Sequence, residues 1–100
     1  MLTTETLLKI LRDNVDYLAA EYSVKRVGLF GSYAVGTANE ASDIDLLVEF
    51  QRPIGFKFME LAEYLERLLG KKVDILTLTG VEAIRVPGVA DHITEHVMYV

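Results

Sequence analysis

The sequence predicts an α+β domain, and three observations carry that reading. Two stretches place apolar residues at helical spacing: Leu7, Leu8, Leu11, Val15, Leu18, Ala19 and Tyr22 in one, and Phe58, Leu61, Ala62, Leu65, Leu68 and Leu69 in the other. Three short runs, Lys25–Phe30, Ile44–Phe50 and Lys72–Thr77, have the composition of strands. These helical and extended segments alternate along 100 residues, a length that suits a single domain over 1–100 with a modest core.

Each element has a local cause. Thr3 or Thr4 can cap the first helix. Its polar face carries Lys9, Arg12, Asp13 and Asp16, and one continuous amphipathic helix is expected to run to about Tyr22-Ser23. After the first strand, the Gly31-Ser32 turn opens a short helix through about Val35, closed by Gly36. A polar loop, Thr37 to Ser42, leads into the second strand. Gln51-Arg52-Pro53-Ile54-Gly55 breaks the pattern. The next helix turns Glu60, Glu63, Glu66 and Arg67 toward water and ends at Gly70, a residue suited to the left-handed conformation that terminates helices. Beyond the third strand, a short helix is expected from Thr79-Gly80 to Val86, stopped by Pro87. Further helical turns are expected in Ala90–His96, and a short terminal strand in Val97–Val100.

Composition narrows the possible functions. Apolar residues make up 51% and charged residues 25%, as in soluble globular proteins. The formal net charge of -5 argues against broad nucleic-acid binding, which leans on basic surface. The absence of cysteine excludes disulfides, thiolate catalysis and cysteine–zinc sites. Met1-Leu2-Thr3-Thr4-Glu5 lacks the basic and apolar regions of a secretion signal, and no stretch is long enough to span a bilayer. The expected compartment is the cytoplasm.

The chemistry concentrates between the first two strands. Successive strand residues face opposite ways, so Asp43, Asp45, Leu47 and Glu49 share one face while Ile44, Leu46, Val48 and Phe50 form an apolar one. Two carboxylates at that spacing repel unless a cation lies between them. Mg²⁺ or Mn²⁺, which prefer hard oxygen ligands, would resolve the conflict. Ten residues upstream, Gly31-Ser32 can present backbone N–H groups and a hydroxyl to an anion. Asp74 interrupts the apolar third strand and can point to the same side as the pair.

An isolated Asp-x-Asp is more simply a charged edge strand that discourages aggregation. The upstream Gly-Ser and the third aspartate favour a metal site. Glu49 shares the face and is assigned to the surface. His92-Ile93-Thr94-Glu95-His96 matches the H-x-x-E-H pattern of inverted zinc proteases. It is short and built of common residues, and such enzymes also need a further ligand and a substrate cleft, so two histidines on a polar helix face are the simpler account. Tyr33, Tyr64 and Tyr99 are assigned to packing or surface.

Gly31-Ser32, Gly36, Ser42-Asp43-Ile44-Asp45-Leu46-Leu47-Val48-Glu49-Phe50 and Val73-Asp74-Ile75, approached through Leu69-Gly70-Lys71-Lys72, resemble the nucleotidyltransferase superfamily that includes DNA polymerase beta. Within it the chain is similar to the minimal nucleotidyltransferase (MNT) family, the antitoxin component of HEPN/MNT toxin–antitoxin pairs, over nearly its whole length.

The resemblance implies a small mixed sheet with helices packed on it. It implies transfer of AMP from ATP to a tyrosine of a HEPN-type ribonuclease toxin, in a hetero-oligomeric complex without direct nucleic-acid or membrane contact. Asp43, Asp45 and Asp74 would be the catalytic and metal-holding residues of a two-metal Mg²⁺ site, with Asp74 on the nucleophile's side, and Gly31 and Ser32 would cradle the outer phosphates. Many relatives carry Arg at the position of Val35, which can neither bind phosphate nor brace carboxylates. Lys25, Arg26, Arg52 or Lys57 could supply a charge instead. Two alternatives stand beside AMP transfer: a catalytically weak or inactive module that neutralises a toxin by covering it, and transfer to a small molecule such as an aminoglycoside. The second alternative usually requires an additional domain.

Overall fold

The computed structural model describes residues 2–77 and 97–100. One mixed sheet organises it, made of β1 (Val24–Phe30), β2 (Ile44–Phe50), β3 (Val73–Thr77) and the two-residue β4 (Met98–Tyr99). Their spatial order is β3-β2-β1-β4. β1 pairs antiparallel with both β2 and β4, while β2 and β3 run parallel. A parallel pair needs a long crossover, and helix α4 (Lys57–Leu69) provides it. The other helices are α1 (Thr4–Asp13), α2 (Val15–Tyr22) and the single-turn α3 (Ser32–Val35). No helix among the described residues is long and apolar enough to cross a membrane. The expected helices within 79–96, including His92 and His96, lie outside the described residues.

The core lies on one face of the sheet. Leu7 and Leu11 of α1, Leu18 and Tyr22 of α2, and Leu61, Leu65 and Leu69 of α4 pack on Val27, Leu29, Ile44, Leu46, Val48 and Val73. The helical positions and Ile44, Leu46 and Val48 are ones that the periodicities put inside. Burying each leucine contributes about 1.5–3 kcal/mol, so this layer provides the main drive for folding. Thr3 makes the first cap, its Oγ1 accepting from the Thr6 N–H at 3.1 Å.

The expected single N-terminal helix is two helices, broken at Asn14. Asn14 adopts φ -109, ψ 2 and serves as the C-cap of α1 and the N-cap of α2. Its side chain stabilises the break: Nδ2 donates to the Ile10 carbonyl at 2.8 Å, and Oδ1 accepts from the Tyr64 hydroxyl at 2.9 Å. The apolar stripe continues across the break, so periodicity alone does not reveal it. Tyr64 also packs on Tyr17 and Tyr22, the assigned packing role.

The second sheet face carries an apolar cluster of its own. Leu47 is only 2% exposed and clusters with Phe30, Leu76 and Val97. The aspartates and Glu49 therefore flank a small apolar floor. Gly28 makes room for it, since a Cβ there would overlap Val97 Cγ1 and crowd the Tyr99 ring.

Candidate active site

Backbone register brings the expected carboxylates to one end of this second face. Asp45 pairs with Phe30 across β1–β2 and with Asp74 across β2–β3. In-register neighbours on adjacent strands point the same way, so Asp74 shares the face of Asp45. Asp43 stands just before β2, partly buried like Asp45, whereas Asp74 is exposed at the rim. Burial pushes the Asp45 carboxyl above its usual range, and the negative charges of Asp74 and then Asp43 push it further.

Gly31 closes the site from the other strand. It holds φ 72, ψ -151, a backbone region that is essentially glycine's alone. A Cβ on it would overlap Asp45 Oδ2 and stand 3.0 Å from Cγ and 3.2 Å from Cβ of the same side chain. The Asp45 carboxylate thus packs against the bare backbone of the Gly-Ser turn. Ser32 opens α3, and Gly36 ends it in the left-handed conformation. The expected site residues Gly31, Ser32, Asp43, Asp45 and Asp74 are therefore brought together from α3 and three chain segments around β1, β2 and β3.

The donor set fits a divalent cation of the Mg²⁺ type: three carboxylates, hard oxygen donors, whose mutual repulsion a cation would relieve. The fit is one of donor chemistry and not of spacing: among the described residues no three acidic or histidine groups stand together at ligand distance.

The cations considered as substitutes for an arginine at Val35 are held elsewhere. Lys25 and Arg26 pair with Glu49, at 3.5 and 3.1 Å, and the Arg26 guanidinium lies 4.2 Å from the centre of the Tyr99 ring. Arg26 pairs in register with Glu49, four residues along β2 from Asp45, or about 13 Å at strand spacing. The Arg52 Nε donates to Ser23 Oγ at 3.0 Å, and Lys57 Nζ to the Glu21 carbonyl at 3.1 Å, both near the start of β1. Val35 itself is 51% exposed.

Two contacts at this end were not visible as functional in the sequence. Glu66, expected to face water, turns Oε2 to accept from the Val73 N–H at 3.2 Å, one residue before Asp74. Lys71 Nζ donates to the Glu40 carbonyl at 2.7 Å, across to the loop that delivers Asp43. Both partners are backbone atoms, so no pairing of side-chain types along the chain could have signalled either contact.

A mixed α+β fold with carboxylates gathered at one sheet end beside a Gly-Ser turn defines a domain of the nucleotidyl-transfer class. The chain belongs to the nucleotidyltransferase domain family, whose model matches residues 5–100. It is 41% identical over 101 residues to the protein adenylyltransferase MntA of Thermococcus cleftensis, covering 100% of this chain and 98% of that protein. A solved structure provisionally named a minimal nucleotidyltransferase superposes with a TM-score of 0.75 at 35% identity, covering 97% of this chain and 95% of the other. A crystal structure of a toxin–antitoxin with AMP-PNP superposes with a TM-score of 0.54 at 33% identity, over 78% of this chain and 59% of that one.

Proposed function

We propose that this protein is a Mg²⁺-dependent protein adenylyltransferase that acts as an antitoxin, moving AMP from ATP to a tyrosine of a cognate HEPN-type ribonuclease toxin. The observation that carries the reading is the in-register pairing of Asp45 with Asp74, with Asp43 beside them and Asp45 packed on Gly31. The similarity to MntA and to a toxin–antitoxin bound to a nucleotide analogue supports the donor and the type of partner.

In this reading Asp43, Asp45 and Asp74 hold the metal, and Gly31 and Ser32 receive the outer phosphates. The bound cations would neutralise charge on the attacking and leaving oxygens. The acceptor hydroxyl forms a bond to the α-phosphorus, the α–β bridging P–O bond breaks, and pyrophosphate leaves. Asp74, an exposed carboxylate, would take the hydroxyl proton. In this reading the acceptor lies on the partner, and the net charge of -5 suits a basic partner whose approach it would accelerate. ATP labelled at the α-phosphate should label the partner, while ATP labelled at the γ-phosphate should not. Transfer from the γ position, or from neither, counts against the reading.

A second reading has its own support. Val35 offers no charge at the Gly-Ser helix, and the four cations named as substitutes are engaged at the far end of the sheet. In that reading the protein neutralises its toxin by covering it, and the label stays on ATP while the two proteins co-elute at low and high salt.

A further inference from the structure

We propose that Lys71 is a positioning residue for the metal-holding carboxylates, a strap that fixes the loop delivering Asp43; the inference rests on the metal-site reading above. The loop before β2 is an internally bonded unit. Asn39 Oδ1 accepts from the Ala41 N–H at 2.8 Å, Ser42 Oγ from the Asn39 N–H at 3.0 Å, and the Asn39 carbonyl from the Ser42 N–H at 3.0 Å. A turn bonded to itself moves as one piece, so what fixes it to the body decides where Asp43 lies. Among the described residues, two contacts tie it to the segment before β3. The Ile44 N–H donates to the Lys72 carbonyl at 3.0 Å, anchoring the strand end. The Lys71 ammonium donates to the Glu40 carbonyl at 2.7 Å, anchoring the turn itself from 31 residues away.

The same ammonium stands 5.8 Å from the centre of the Tyr33 ring. Tyr33 follows Ser32 in α3 and is 2% exposed. One charge therefore bridges the two halves of the site: the Gly-Ser helix through the Tyr33 ring, and the carboxylate loop through Glu40. Lys71 lies three residues before Asp74, so all three site segments meet at it. Its contacts are with a backbone carbonyl and a ring, which makes it a support for Asp43 rather than a group that binds phosphate.

The test is Mn²⁺ binding to the nucleotide-free protein, read by electron paramagnetic resonance, together with amide hydrogen exchange over residues 37–43. Lys71→Met keeps the aliphatic stem and removes the donor. It should weaken Mn²⁺ binding by roughly 10- to 100-fold, the usual effect of losing a group that orients metal ligands, and should speed exchange in the loop. Lys71→Arg, which retains a donor, should recover most of both. In an Asp43→Asn background the further loss from Lys71→Met should vanish, since the strap acts through Asp43. Wild-type Mn²⁺ affinity in Lys71→Met overturns the proposal, and so does a loss that persists undiminished beside Asp43→Asn. If Lys71→Met does not fold, Lys71→Ala, which also lacks a donor, carries the same expectations. Failure of the wild type to bind Mn²⁺ overturns the metal-site reading instead, and the exchange rates then judge the strap on their own.

Discussion

Substituting alanine at Gly31 and at Gly36 separates backbone strain from damage to the site. Both glycines flank α3 at positive φ, 72 and 83. At Gly36 an added Cβ meets nothing within 4 Å, so Gly36→Ala should cost only the left-handed penalty of about 1–2 kcal/mol. At Gly31 the backbone penalty is about 1–3 kcal/mol, and the new Cβ also overlaps Asp45 Oδ2. The carboxylate is the movable end of its side chain, so it should swing away and let the fold survive. In a domain of this size each kcal/mol shifts Tm by about 4–8 °C, so both variants should melt measurably lower and by overlapping amounts. Their ligand response should diverge. Mg²⁺ with ATP should raise the Tm of Gly36→Ala as it does that of the wild type, because ligand that binds only the folded state stabilises it. Gly31→Ala should show little or no rise. Thermal melts with and without Mg²⁺-ATP read both effects. An equal ligand-induced rise in the two variants would refute the claim that Asp45 and the Gly-Ser turn form one site.

Two further substitutions test the electrostatics and the packing. Asp45 is held above the ordinary carboxylate pKa by burial and by Asp74 and Asp43. Its contribution to stability is therefore full below the unfolded value of 3.8 and is lost as pH rises through the folded value. Asp45→Asn, measured by urea denaturation in chelator, should match the wild type at acid pH and exceed it at neutral pH; equal stability at both would show that neither burial nor the neighbouring charges penalise the ionised Asp45. Tyr33 Oη is buried with no partner among the described residues, and an unsatisfied buried hydroxyl costs about 1–3 kcal/mol. Tyr33→Phe should be neutral or stabilising in the same assay, and a clear loss of stability would reveal a partner for the hydroxyl.

The sequence was legible where local chemistry decides the structure. Gly36 and Gly70 end their helices in the left-handed conformation, as their identity suggests. The run Ile44–Phe50 is a strand whose Ile44, Leu46 and Val48 enter the core. Asp-x-Asp alternation gave the face of Asp45, and the parallel register with β3 then placed Asp74 on it. What stayed hidden depends on partners distant in the chain. Asn14 breaks the first helix because Tyr64, 50 residues on, accepts the role of its hydrogen-bond donor. The burial of Leu47 depends on Phe30, Leu76 and Val97, which no alternation rule supplies. Lys71 and Glu66 look like ordinary surface charges until their backbone partners are known.

In the proposed reaction Asp74 supports AMP transfer, while the fold and the partner complex do not need its charge. Asp74 is exposed at the site's rim and its neighbours Val73 and Ile75 carry the packing, so the nearly isosteric Asp74→Asn should leave both intact. Losing a few kcal/mol of transition-state stabilisation slows a reaction by orders of magnitude, about tenfold per 1.4 kcal/mol. The decisive measurement is intact-mass spectrometry of the co-purified partner after incubation with ATP and Mg²⁺. AMP-sized additions are expected with the wild type, none with Asp74→Asn over the same time, and equal co-elution of both with the partner. An unmodified partner in both samples, with growth rescued equally by both proteins, would contradict it and leave the protein a stoichiometric cover.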